Sequence, residues 1–137
     1  MTAKVEDLVI LVTGANGLIG KQFAGCLANL GATVVRTDMS AEQSTEGRQG
    51  YVDCDIRDKN SVDKTLATVV KKHGRLDALV NCAYPRNDKF GAGFFDVTYD
   101  DFCENLSWQL GGTFLVSQQA ARVMKKQGSG SIVNFGS

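Results

Sequence analysis

Residues 11–23 read LVTGANGLIGKQF: an aliphatic run that opens into three glycines, Gly14, Gly17 and Gly20, spaced three apart, and then into a helical pattern. A phosphate-bearing ligand can approach a strand-to-helix turn only where side chains leave room, and the N–H groups at the helix start then hold its negative charge. That makes Gly14, Asn16, Gly17, Leu18, Ile19 and Gly20 candidate cofactor-binding residues. Tight turns and close helix packing select glycine as well, so the triplet alone leaves a packing role open. Asp38 narrows the choice, because it ends the next aliphatic run, eighteen residues after Gly20. A carboxylate there can accept hydrogen bonds from both hydroxyls of an adenosine ribose, and it repels a 2′-phosphate. The expected cofactor is NAD rather than NADP, although Arg36 lies close by.

The strand–turn–helix unit is the first of several. Short aliphatic runs occur at Leu8 to Val12, Thr33 to Arg36, Tyr51 to Cys54, Leu76 to Val80 and Ser131 to Phe135. Near-continuous apolar character suits strands buried on both faces of a parallel sheet. Helical patterns separate them. The first covers 17–30, with Phe23, Leu27 and Leu30 as its expected buried face and Gly31 as a stop. The second carries a stripe of Val62, Leu66, Val69 and Val70 and ends at Gly74, with Lys71, Lys72 and His73 where the helix dipole favours cations. The longest begins after Thr98, a plausible N-cap, and runs to Lys126 with Phe102, Leu106, Leu110, Phe114 and Met124 as its expected inward stripe. Residues 39–50 are polar and read as a surface loop or a short helix. Residues 84–98 form a loop long enough to suggest a functional role. This alternation predicts an α/β fold: a Rossmann-like doubly wound parallel sheet of five strands in the order 3-2-1-4-5.

Composition bounds what such a domain does. A chain of 137 residues with 43% hydrophobic and 22% charged residues has the size and apolar content of a single domain, here 1–137. Fifteen basic side chains balance fifteen acidic ones, so the chain offers no general electrostatic reason to hold nucleic acid or an anionic membrane surface. Cys26, Cys54, Cys82 and Cys103 are scattered without a CxxC pair, and the single His73 is far from each in sequence. Free thiols in a cytoplasmic protein are expected, with no metal site.

Several segments, in order, resemble the short-chain dehydrogenase/reductase family. TGANGLIG looks like its glycine motif, with the GxxGxxG spacing of the extended subgroup; the main subgroup has glycine where Leu18 stands. Asp55 and Ile56 are similar to the family's Asp-Val/Ile pair beside the adenine. LVNCAYP looks like its Asn-Asn-Ala-Gly segment, matching at Asn81 and Ala83 and departing at Cys82 and Tyr84. GSIVNFGS resembles the strand that ends in the catalytic serine, placing Ser137 there. The resemblance implies hydride transfer between a nicotinamide cofactor and a small molecule bearing a carbonyl or hydroxyl group, with residues 1–137 as the cofactor-binding portion. Asn81 could equally hydrogen-bond the neighbouring strand, and Ser137 could equally be a frayed end.

Two departures bear on mechanism. Aligning QLGGTF with the family's asparagine on the long helix selects Gln109, while Asn105 lies one turn earlier on the same face, so either amide could serve. The family's tyrosine, and the lysine four residues after it, would follow Ser137; Tyr51, Tyr84 and Tyr99 lack a lysine at that offset. These residues are therefore expected to bind a dinucleotide better than they turn over substrate, and a non-catalytic dinucleotide-binding or regulatory module is the alternative. The fifth strand is expected to leave an open edge, as in the N-terminal part of a longer enzyme. In many family members the long helix packs between subunits, which implies a homo-oligomer. The loop beginning YPRNDKFGAGFF is similar to that of family members in bacterial surface-sugar and flagellin modification, where Arg86 and Lys89 could meet an anionic sugar.

Overall fold

The computed structural model describes residues 4–39 and 50–136. Its elements follow the chain as β1 (Val9–Thr13), α1 (Leu18–Asn29), β2 (Thr33–Asp38), β3 (Tyr51–Asp53), α2 (Lys59–His73), β4 (Ala78–Asn81), α3 (Tyr99–Leu106), α4 (Gly112–Gln127) and β5 (Ser131–Asn134). All strand pairs are parallel, in the order β3-β2-β1-β4-β5. The expected doubly wound sheet is present, and the strand ends move by one or two residues. Most of the segment expected as a loop or short helix between β2 and β3 lies outside the described residues.

Alternation along β1 sorts the core into two layers, because successive side chains of a strand point to opposite faces. Val9 and Leu11 join Val62, Leu66 and Val69 of α2 and Val116, Ala120 and Met124 of α4. Ile10 and Val12 join Ala24 of α1 on the other face. All five residues of β1 are buried, as the central strand of such a sheet requires. Asp77 ties the sheet at its lower end: its Oδ2 accepts the Val9 N–H at 2.8 Å, and its other oxygen accepts from Arg75. Burial pushes the Asp77 carboxyl up, but these two partners outweigh that and leave it below its ordinary value.

Helix α2 follows its expected stripe except at Val70, which is half-buried. Val62, Leu66 and Val69 are buried, Gly74 closes the helix in the left-handed conformation, and Asp58 caps the N-terminus by accepting the Asn60 N–H. Two other helix faces differ from expectation. In α1 the buried residues are Gly20 and Ala24; of the expected face, Leu27 packs half-buried against the core, while Phe23 and the C-cap residue Leu30 are exposed. Small residues let this helix press against the sheet, which displaces the large ones to its flank.

The long helix is not one uninterrupted α-helix. Thr98 caps α3 through a reciprocal capping box with Asp101, as its sequence suggests. A π-helical turn, Ser107–Gly111, then separates α3 from α4. The expected inward stripe fails at four of its five residues: Phe102, Leu106, Leu110 and Phe114 are 47% to 64% exposed, and only Met124 is buried. The buried residues of α4 are Gly112, Val116, Gln119, Ala120 and Met124. Gly112 sets the approach: a Cβ there would stand 2.8 Å from Cδ1 of Ile56. No helix among the described residues is long and apolar enough to cross a membrane.

Candidate functional site

The carboxyl ends of β1, β2 and β4 open into one cleft of about 830 Å³, which the glycine turn floors. Gly14 leaves β1 with φ +63°, and a Cβ on it would stand 2.6 Å from the Ala83 backbone. Only glycine fits there. Gly20 is closed in the same way, since a Cβ would collide with the Gly14 carbonyl oxygen. The packing role left open for the triplet is therefore real at its first and third members. Gly17 differs: it is the N-cap of α1, with extended backbone and no capping side chain, and it lines the cleft. The Gly17 N–H donates to the Gly14 carbonyl at 3.0 Å, which fixes the turn. The next N–H groups, of Leu18 and Ile19, begin the helix and by its geometry lack intrahelical acceptors.

Asp38 stands across this turn. Its Oδ2 accepts the Asn16 N–H at 2.9 Å and its Oδ1 accepts the Met39 N–H at 2.8 Å, so the carboxylate is fixed at the cleft wall. Each oxygen retains a further lone pair for a ligand hydroxyl. The main chain after β3 joins it, with the Cys54 N–H donating to the Asp38 carbonyl at 2.8 Å. Cys54, Ile56 and Met39 give this end of the cleft an apolar lining. Glycine floor, fixed carboxylate and apolar wall together fit an adenosine diphosphate.

A family profile described as short chain dehydrogenase matches residues 8–137. The chain belongs to this family. Its relatives include the short-chain reductase protein NovJ of Streptomyces niveus, 34% identical over 96% of this chain and 53% of that protein. The post-translational flagellin modification protein A of Campylobacter coli is 29% identical over 97% of this chain and 56% of that protein. Among solved structures, an NAD+-bound xylitol dehydrogenase superposes with a TM-score of 0.84 at 31% identity, covering 96% of this chain and 54% of that one. The chain spans about half the length of the relatives it matches.

Within this member of the family, the remaining predicted residues separate into those at the cleft and those behind it. Ile56 and Ala83 line it; Asp55 and Asn81 are not among its lining residues. The Asp55 carboxylate is engaged by the Arg57 guanidinium at 2.8 to 3.2 Å, which lowers its pKa below the ordinary value, and that guanidinium lies 4.6 Å above the Trp108 ring. Asn81, 2% exposed, works inside the fold: its Oδ1 accepts from the Thr13 hydroxyl, and its Nδ2 donates to Asn134 and Ser117. Thr13 Oγ1 in turn accepts the Ala83 N–H, so Asn81 sets the cleft floor through β1.

The two candidate amides are placed differently. Asn105 exchanges hydrogen bonds with the cleft-side loop: its Nδ2 donates to Asn87 Oδ1 at 2.8 Å, and its Oδ1 accepts the Asn87 N–H at 3.0 Å. Gln109 lies in the π-helical turn, and its buried Nε2 has no partner among the described residues. Ser137 lies outside the described residues. Sequence reasoning missed Phe90 and Phe135, which both line the cleft. Phe135 packs edge-on against Phe23 at 5.0 Å. Its position just after β5, at the same sheet end as the glycine turn, was the available signal. Burial pushes the Cys54 and Cys82 thiols up from their ordinary value, which keeps both neutral at the cleft wall.

Proposed function

We propose that these residues form the dinucleotide-binding portion of an NAD-dependent oxidoreductase acting on the carbonyl or hydroxyl group of a small molecule, a sugar derivative in particular. The observation that carries this is the Asp38 carboxylate, fixed by two backbone N–H groups beside the glycine turn. It would accept the adenosine ribose hydroxyls and repel a 2′-phosphate. Leu18 and Ile19 would hold the pyrophosphate with their N–H groups, and Ile56 with Met39 would seat the adenine. Bound there, the nicotinamide would supply or accept the hydride. Arg36, the residue that would favour NADP, is not among the cleft-lining residues.

Gln109 supports the resemblance better than Asn105, whose amide is engaged with Asn87. The polyol in the name of the xylitol dehydrogenase supports a hydroxylated substrate, and the relationship to a flagellin modification protein is compatible with it. The exposed stripe of α3 and α4 supports self-association. Calorimetric titration with NADH and NADPH tests the cofactor assignment. Micromolar NADH binding, much weaker NADPH binding, and loss of the difference in Asp38→Ala are expected; a folded sample that binds neither would overturn it.

A further inference from the structure

Family resemblance leaves the substrate end of the cleft undefined, and this chain departs from the family there. After Ala83 the lining continues through Tyr84, Pro85 and Arg86, then returns at Phe90. The three side chains form one stack: Tyr84 meets Phe90 edge-on at 5.7 Å, and the Arg86 guanidinium lies 5.4 Å above the Phe90 ring. Arg86 takes no part in the ion pairs Asp55–Arg57, Asp63–Lys59 and Asp77–Arg75, and no carboxylate among the described residues claims it. Lys89, the loop's next cation, is not a lining residue and lies instead near the Asp101 carboxylate.

The loop is held so that Arg86 stays at the cleft. Asn87, its neighbour, faces α3: its N–H donates to Asn105, its Nδ2 donates to Asp101 and Glu104, and its Oδ1 accepts from Asn105 and from the Lys89 N–H. Position in the sheet decides which ligand group Arg86 meets. Asp38 ends β2 and the Arg86 loop follows β4, two strands across, roughly 10 Å at the usual strand spacing. With the adenosine at Asp38, Arg86 falls toward the reacting end.

We propose that Arg86, seated on Phe90, binds an anionic substituent, a carboxylate or phosphate, of a sugar-like substrate. This rests on the dinucleotide reading only for which end of the cleft the substrate takes. A guanidinium offers paired donors to either anion, and stacking on an aromatic ring orders it before the ligand arrives. The exposed Tyr84 ring beside it offers an apolar surface for the ring carbons of a sugar.

The test is a nitrogen-15 NMR titration of this chain, following the Arg86 Nε–H signal identified by its loss in Arg86→Gln. Galacturonate and galactose 6-phosphate are added with and without saturating NADH, and galactose serves as the uncharged control. The Arg86 signal should shift saturably with both anions and not with galactose. Arg86→Gln should weaken anion binding by about tenfold or more, the loss expected for a charge-assisted hydrogen bond. Arg86→Lys, which keeps the charge but loses the paired donors and the stacking, should bind the anions more weakly than the wild type and more tightly than Arg86→Gln, and NADH affinity should hold in both variants. An Arg86 signal unmoved by either anion, with or without NADH, would overturn the proposal. So would a comparable loss of NADH affinity in Arg86→Gln, which would assign the guanidinium to the cofactor's pyrophosphate. The Gly14 and Gly17 amides report NADH separately, so a failed cofactor reading shows as their silence while Arg86 still answers to the anions.

Discussion

At the scale of single residues, glycines of one helix-and-turn unit carry opposite consequences. Gly14 holds φ +63° against the Ala83 backbone, so Gly14→Ala must distort the turn and should cost about 2 kcal/mol or more. Gly25 lies within α1 with nothing near the position of a Cβ, and Gly25→Ala should raise stability by about 0.5 to 1 kcal/mol. Thermal unfolding of the two variants checks both signs. Asp77 gives a pH-dependent counterpart. Its folded pKa lies below the ordinary value of 3.8, so its contribution is present above that pH and is lost as the pH falls through the folded value. Asp77→Ala, which strips the acceptor from the Val9 N–H, should cost about 2 kcal/mol near neutrality, and the gap to the wild type should narrow in acid titrations below pH 3.8.

At the scale of elements, Thr98→Ala should loosen the start of α3 by about 1 kcal/mol, measurable as lost helix signal and a lower midpoint in urea. That cap was readable from Thr98 itself, a residue type whose hydroxyl accepts from the free N–H groups of a helix start. The strands and α2 were readable for a related reason: continuous aliphatic runs and a clean apolar stripe leave few ways to bury themselves. Helices α1 and α4 misled because apolar size was taken for burial. Close packing against the body selects small residues, Gly20 against the Gly14 turn, Gly112 against Ile56, and Ala24 and Ala120 in the two core layers, while Phe23, Phe102 and Phe114 stay exposed. The π-helical turn left no local sign beyond the Gly111–Gly112 pair. At the site, Gly14, Gly17 and Asp38 were legible because one turn and one strand end bring them together. The Asn87–Asn105 exchange was not, since eighteen residues of loop and helix separate its partners.

At the scale of the whole molecule, the largest question is what covers the outer face of α3 and α4. Phe102, Leu106, Leu110 and Phe114 recur every four residues along it, and all are exposed. Asp100 lies at the start of α3, at one end of this face, while Lys125 and Lys126 mark the other. An antiparallel second copy would match apolar stripe to stripe and acidic end to basic end. Leu110→Asp should therefore lower the mass seen by analytical ultracentrifugation to that of one chain, without unfolding it. An unchanged mass would remove this face from any assembly.

The cleft-side loop has a consequence for how such a protein changes over time. From Tyr84 to Val97 no residue is buried, and the chain is fastened to the body chiefly through Asn87. Substitutions in such a stretch cost little stability. The ground beneath it is buried and hydrogen-bonded at Thr13 and Asn81 and closed to any side chain at Gly14 and Gly20. A lineage could therefore exchange one substrate for another by rewriting a surface segment, while the machinery that holds the dinucleotide passes unchanged from one chemistry to the next.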